Sequence, residues 1–362
     1  FVMGGGAGNG NSLYIKDLTK PNSKWITVED SQDYDISVID SRDGKLYIFT
    51  SADAPRYRLV TADVSAPQRA NWKELVPENK DAVLVNTDFA GDKMILTYDK
   101  DASHHAYVYN IDGTPVREIT LPTYGTLSFS TDSKSPEAFY SFASFTTPAS
   151  IYRYNVDSGE SSLFRSTELQ GFNPDDYITE QVFYPSSDGT KIPMFLTYRK
   201  GIERNGKNPV YLYGYGGFNI TLNPSFSANR LIWLENGGIY AQANLRGGGE
   251  YGEEWHLAGT KQNKLNVFND FISAAEYMIE QGWTNPELIA IEGGSNGGLL
   301  VGAVTNMRPE LFRVAIPRVG VMDMMRYHLF TIGWNWAHDY GTSADSPETA
   351  EYLLAYSPLH TI

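Results

Sequence analysis

Short runs of β-branched and aromatic residues, broken by polar turns, fill the first half of the chain. Four of them resemble one another: Leu13-Tyr14-Ile15-Lys16-Asp17, Leu59-Val60-Thr61-Ala62-Asp63, Tyr109-Asn110-Ile111-Asp112 and Tyr154-Asn155-Val156-Asp157, whose closing Asp residues fall 46, 49 and 45 positions apart. A second series, Lys45-Leu46-Tyr47-Ile48-Phe49, Lys93-Met94-Ile95-Leu96-Thr97 and Glu137-Ala138-Phe139-Tyr140-Ser141-Phe142, interleaves with the first at nearly the same period. Gly-containing turn signals between the runs predict short antiparallel strands. A recurring unit of ~45 residues is the size of a β-propeller blade, and the period favours that reading over a β-sandwich with evenly spaced strands. About four units are present. Four is few for a closed ring, so a partial propeller is expected over residues 1–172. The Gly4-to-Gly10 run reads as a loop.

The pattern changes at Gly171-Phe172-Asn173-Pro174-Asp175-Asp176. Beyond it, strands alternate with helices, the signature of a sheet with crossover connections, and a mostly parallel sheet with flanking helices is expected over 173–362. Candidate strands are 181–184, 192–198, 210–213, 238–244, 288–291 and 314–316. Between the fourth and fifth lies a helix, with Asn266 as its expected cap, Gly282 as its stop, and an apolar stripe of Val267, Phe268, Phe271, Ile272, Ala275, Met278 and Ile279 that reads as core.

Composition removes several function classes. The 43 acidic against 29 basic residues leave a net charge of -14, which opposes attraction to nucleic acid or anionic lipid. With no Cys, disulfides, thiolate catalysis and Cys-ligated metal are all excluded. No apolar stretch approaches the ~20 residues of a membrane-spanning helix. A soluble protein is expected, with its compartment, cytoplasmic or periplasmic, left open.

The chemistry concentrates at Glu292-Gly293-Gly294-Ser295-Asn296-Gly297-Gly298, which follows one candidate strand and opens a helical run from Leu299 to Met307. This is G-x-S-x-G in a strand–turn–helix context, where glycines flank the Ser because the sharp turn crowds its backbone. Ser295 is the candidate nucleophile. The backbone N–H of Asn296, at the helix N-terminus, is a candidate oxyanion donor. A second donor should come from the loop Gly214-Tyr215-Gly216-Gly217-Phe218, and spacing alone leaves Tyr215 equally readable as donor or as packing.

Two phosphate-binding patterns fail on context. Gly247-Gly248-Gly249-Glu250-Tyr251-Gly252 satisfies G-x-G-x-x-G, with Asp270 where a ribose-binding acid would lie, but residues 253–264 do not open as an amphipathic helix. Gly201 to Lys207 fits G-x-x-x-x-G-K, but Asn208 replaces the Mg²⁺-binding hydroxyl. No pair among the six His has a persuasive metal spacing, and neither metal nor cofactor is expected. Nucleophile-elbow hydrolases order their triad as Ser, acid, His. Asp323, Asp339 and Asp345 follow Ser295, with His328, His338 and His360, yet no later strand pair carries them, so the triad is expected to be incomplete within these residues.

At Tyr211 to Ile220, Arg246 to Gly252, Gly293 to Leu300, Val319 to Met324 and Tyr356 to His360, the sequence closely resembles the prolyl oligopeptidase family of serine peptidases. The likeness extends into the first half, at Tyr57-Arg58-Leu59 and Leu75-Val76-Pro77-Glu78. It implies an α/β-hydrolase domain capped by a seven-bladed propeller, and cleavage of short proline-containing peptides after proline by a monomer. It further implies that Ser295 is the nucleophile, that the Tyr215 hydroxyl and Asn296 N–H form the oxyanion hole, and that Trp336 stacks on the substrate proline. Phe218, Val321, Ile332 and Tyr340 would line the same pocket, whereas without the resemblance Trp336 reads more readily as core. The catalytic Asp and His would lie beyond Ile362 and about three blades before Phe1, so an internal fragment, inactive alone, is expected. The rival readings are a related peptidase of other specificity and a non-catalytic propeller binding protein.

Overall fold

In the computed structural model, which describes residues 2–4 and 10–362, the two interleaved sequence series are the second and third strands of successive antiparallel sheets. One such sheet is Ile36–Arg42, Lys45–Thr50, Arg58–Asp63 and Lys73–Val76, paired strictly in chain order. Two further four-stranded sheets of the same order span 83–119 and 126–165, and a three-stranded sheet, Val2–Gly4, Asn11–Ile15 and Ile26–Glu29, precedes them. The first strands of successive four-stranded sheets touch one another, 36–42 against 83–90 and 83–90 against 126–131. That is the radial stacking of propeller blades. Between neighbouring blades the facing residues form closed cores, as where Ile95 and Val108 meet Leu127, Tyr140 and Tyr154. Residues 5–9 of the glycine run expected as a loop lie outside the described residues.

The second sheet has six strands: β1 (Tyr177–Pro185), β2 (Lys191–Arg199), β3 (Val210–Tyr213), β4 (Ile239–Ala243), β5 (Ile289–Gly294) and β6 (Val314–Arg318). Their spatial order is β1-β2-β4-β3-β5-β6, antiparallel at the first two junctions and parallel at the other three. Helix α1 (Ala228–Glu235) connects β3 to β4. The longest helix, α2 (Lys264–Glu280), and the helix after β5, α3 (Asn296–Met307), share a core with Val210, Leu212, Ile289 and Ile291 of the sheet. Among the described residues no helix is long and apolar enough to cross a membrane, which says nothing of membrane-spanning strands.

The expected stripe on α2 is its buried face, with Ile279 at the margin, and Gly282, at φ 72°, stops the helix as read. The expected cap is displaced. A short 3₁₀ turn at Lys261–Asn263 runs straight into α2, so the helix starts at Lys264, and Asn266 instead donates from Nδ2 to the Ala258 carbonyl at 2.9 Å. Residues 253–264, read as not opening an amphipathic helix, hold a five-residue helix, Glu253–Leu257, and the 3₁₀ turn at Lys261–Asn263. The Asp270 weighed as a ribose ligand is fully buried in a fork with Arg246, at 2.6 and 3.0 Å, which leaves it nothing to offer a nucleotide.

One sheet face is covered by α2 and α3. The other, over β3, β5 and β6, is an open groove of about 1290 Å³ whose lining includes Tyr211, Tyr213, Trp233, Glu292 and Arg318. Strand β6 is the sheet's edge, and all five of its residues are exposed.

Blades and sheet meet along a seam of apolar and polar contacts. Ala102 and Phe145 of the blades pack with Phe195, Leu231, Leu234 and Tyr240 of the sheet domain. Burying a side chain such as Phe145 contributes roughly 1.5–3 kcal/mol. Beside this cluster, Asn223 Nδ2 donates to Asp99 Oδ1 at 2.7 Å, Tyr251 Oη donates to Asp101 Oδ1 at 2.6 Å, and Thr126 Oγ1 donates to the Pro224 carbonyl at 2.7 Å.

Candidate active site

Strand β5 ends at Gly294 and α3 begins at Asn296, so a single residue, Ser295, makes the turn between them. Its backbone sits at φ 57°, ψ -116°, a conformation that costs a non-glycine residue on the order of 1–3 kcal/mol. Three hydrogen bonds hold it there. The Ser295 N–H donates to the Arg318 carbonyl at 2.9 Å, and the Ser295 carbonyl accepts from the N–H groups of Gly298 and Leu299 at 2.9 and 3.1 Å. A Cβ on Gly293 would collide with the Gly297 carbonyl, whereas one on Gly294 would meet open space. Crowding therefore explains Gly293 and not Gly294. The turn leaves Ser295 exposed while the next six residues are buried.

Tyr215 follows the end of β3, half-buried, with the Ser295 side chain against its phenol. Burial raises the phenol pKa and the Ser295 contact opposes that rise, so the hydroxyl stays a neutral donor at physiological pH. The Asn296 N–H is the first in α3 and has no partner within the helix by geometry. Its side chain faces inward, donating from Nδ2 to the Tyr215 carbonyl at 2.6 Å. Phenol and amide N–H thus border the same exposed serine.

Beneath them lies a buried charged cluster that the sequence reading did not find. Lys264 Nζ donates to the Gly216 carbonyl at 2.9 Å and to Asn296 Oδ1 at 3.0 Å, and lies 3.9 Å from Asp339 Oδ2. Tyr340 Oη donates to the same Asn296 oxygen at 2.8 Å. His256 Nε2 lies 2.7 Å from Asp339 Oδ1. Burial pushes Lys264 down to about 8 against the pull of Asp339. Burial would lower His256 too, but its bonds to Asp339 and Glu253 outweigh that and lift it to about 9. Asp339 is held below the usual carboxylate range, since its burial is overcome by His256 and Lys264.

The residues assigned to the proline pocket separate. Phe218 and Tyr340 meet edge to face at 5.3 Å, Tyr340 meets Tyr327 at 5.4 Å, and Tyr327 lies parallel to Trp336 at 6.3 Å. Phe218, Val321 and Trp336 are partly buried against the sheet-domain core, and Tyr340 is enclosed within it. Ile332 is 54% exposed. Among the described residues no His bonds to Ser295: His256 serves Asp339, His360 Nδ1 pairs with Ser357 Oγ at 2.8 Å, and His338 Nδ1 with the Asn335 carbonyl at 3.1 Å.

A mostly parallel α/β sheet with a strained serine elbow, set against propeller blades, places the chain among propeller-capped α/β-hydrolase folds. Residues 2–167 match the model of the prolyl oligopeptidase N-terminal beta-propeller domain, and residues 224–362 that of the prolyl oligopeptidase family. The chain belongs to the prolyl oligopeptidase family. It is 49% identical over 362 residues to the prolyl endopeptidase of Elizabethkingia meningoseptica, covering 100% of this chain and 51% of that one. It is 43% identical over 302 residues to that of Dictyostelium discoideum, covering 82% and 40%. Among solved structures, a prolyl endopeptidase studied for inter-domain dynamics superposes with a TM-score of 0.93 at 43% identity, covering 99% of this chain and 52% of that one. Prolyl oligopeptidase B of Galerina marginata, bound to a macrocyclization substrate, gives 0.93 at 33% identity, covering 99% and 51%. The chain spans about half the length of the curated relatives it matches.

Proposed function

We propose that the full-length protein is a serine endopeptidase that hydrolyses short peptides on the carboxyl side of proline. The observation that carries this reading is Ser295, exposed on a strained elbow with the Tyr215 phenol and the Asn296 N–H beside it. Ser295 Oγ attacks the carbonyl carbon of the proline residue, a C–O bond forms, and the carbonyl electron pair moves onto oxygen, where Tyr215 and Asn296 stabilise it. Collapse expels the peptide amine and leaves an acyl-serine, which water hydrolyses. The serine proton passes to a base that we assign to the protein beyond residue 362, with its orienting acid, and from that base to the nitrogen of the leaving amine. The half-length match to the relatives is compatible with that assignment.

Trp336, Phe218 and Val321 supply an apolar, partly aromatic surface suited to a proline ring, which has area to bury and no charge to pair. A pocket for a basic residue needs carboxylates facing it, and Asp339 is already engaged by His256. A monomeric enzyme acting on short peptides, with the blades restricting access, completes the proposal.

The test is a fluorophosphonate probe and a chromogenic prolyl peptide applied to the full-length protein. Labelling at Ser295, and turnover lost by about 10⁶-fold in Ser295→Ala, support the reading. An unlabelled Ser295 sinks it and leaves a non-catalytic binding protein. Trp336→Ala should lower kcat/KM about 10-fold or more on prolyl substrates relative to alanyl ones. Equal loss on both removes Trp336 from the pocket.

A further inference from the structure

We propose that Lys264 is the positioning residue of this site, fastening the two oxyanion donors to each other from below. The proposal rests on the reading of Tyr215 and Asn296 as those donors. The bonds form a closed circuit: Lys264 Nζ to the Gly216 carbonyl, the backbone back to Tyr215, the Tyr215 carbonyl to Asn296 Nδ2, and Asn296 Oδ1 back to Lys264 Nζ. One arm starts on the loop that carries the phenol and the other on the residue that carries the N–H. The β3–β5 pairing reaches only as far as Tyr213 and Glu292, with the Gly214 N–H donating to the Glu292 carbonyl at 3.3 Å, so the circuit is what ties the two turns together beyond the strand ends.

A buried ammonium is an expensive way to fill space, because its desolvation is recovered only through well-formed hydrogen bonds and a countercharge. Here both are present, two short bonds and the Asp339 carboxylate at 3.9 Å. Asp339 is itself held by His256 at 2.7 Å and by the Phe218 N–H at 3.3 Å, so the countercharge is fixed to the same loop. Lys264 is 1% exposed and cannot touch substrate. Its effect must pass through the geometry of the donors, where a misplacement of ~1 Å can cost 10²-fold in rate.

The test compares wild type and Lys264→Met in the full-length protein. Three quantities are measured: kcat and KM on a prolyl peptide, affinity for a peptide aldehyde ending in prolinal, and affinity for the product acid ending in proline. The aldehyde forms a tetrahedral adduct with Ser295 and needs the donors aligned, whereas the product does not. A kcat lower by about 10- to 100-fold with KM within about threefold, aldehyde affinity falling by the same factor and product affinity unchanged, supports the proposal. Wild-type kcat, or aldehyde and product affinities falling together, overturns it. Where Lys264→Met loses its cooperative melt, Asn296→Ala, which removes the amide link of the circuit and keeps the backbone N–H, is read in the same way. A loss of about 3- to 10-fold in kcat and aldehyde affinity alone supports the circuit, and no differential loss overturns it. A wild-type protein that neither turns over nor labels at Ser295 instead overturns the peptidase reading.

Discussion

Two buried polar clusters in this molecule solve the same problem in opposite ways. Under Ser295, two cations, Lys264 and His256, share the Asp339 carboxylate, and every charge has a partner of opposite sign. At the seam between blades and sheet domain, two carboxylates are buried with amide partners only. Asp99 accepts from Asn223, and Glu250 Oε1 accepts from the Leu222 N–H at 3.2 Å and Asn244 Nδ2 at 3.1 Å, while among the described residues Glu250 Oε2 has no hydrogen-bond partner. Burial pushes both acids up to about 7, each without a compensating cation. The first arrangement holds its geometry while Lys264 stays protonated, below about pH 8. The second makes the attachment of one domain to the other depend on protons.

The largest effect that separates the clusters is expected from Tyr215→Phe in the full-length protein. Losing one oxyanion donor should cut turnover roughly 10²- to 10³-fold while leaving the melting temperature and its pH dependence unaltered. An unchanged rate would return Tyr215 to mere packing, the other option that its spacing allowed.

The seam should respond to pH instead. An unfolded Asp ionises near ~3.9, so its stabilising share is full below that value and is lost as pH rises through about 7, where the folded Asp99 gives up its proton. Stability should therefore fall from pH 5 to 8, by up to about 1.4 kcal/mol per pH unit for each such group. Asp99→Asn should flatten part of this slope, measured as melting temperature against pH. Parallel curves for wild type and variant would show that the seam is not titrating.

The smallest contrast lies within the elbow. Gly294→Ala should move stability by less than about 0.5 kcal/mol in a chemical denaturation curve, since its Cβ meets nothing. Gly293→Ala should be clearly destabilising by the same measurement. Equal effects would mean that the turn is not held by the close approach of Gly293 to Gly297.

Sequence periodicity reached the parts of the fold in which pattern and burial agree. The second and third blade strands stand out because their residues are largely apolar, as in Lys45–Thr50, whereas an outer strand such as Ser161–Arg165 is exposed at every position, and its adjacent Leu163 and Phe164 give no alternation to read. The Ser295 elbow is legible because close backbone approach dictates Gly293 and Gly297 on either side of the serine. Lys264 is not. In the polar stretch Lys261-Gln262-Asn263-Lys264 it looks like a solvated side chain, and only Asp339 and the Gly216 loop, brought in by tertiary packing, give it an interior. His256 was hidden for the same reason, since its partner lies on a distant segment. Asn266 misled because its side chain has a nearer carbonyl to serve than the start of α2.

Strand β6 carries a last consequence. Among the described residues no strand pairs with its outer edge, Val314 and Ile316 lie beside an open groove, and Pro317 and Arg318 blunt only one end of the row. A polypeptide limited to these 362 residues would present a ready template for a neighbouring molecule's backbone. Its recombinant handling would be governed by self-association at that rim before any question of turnover arose.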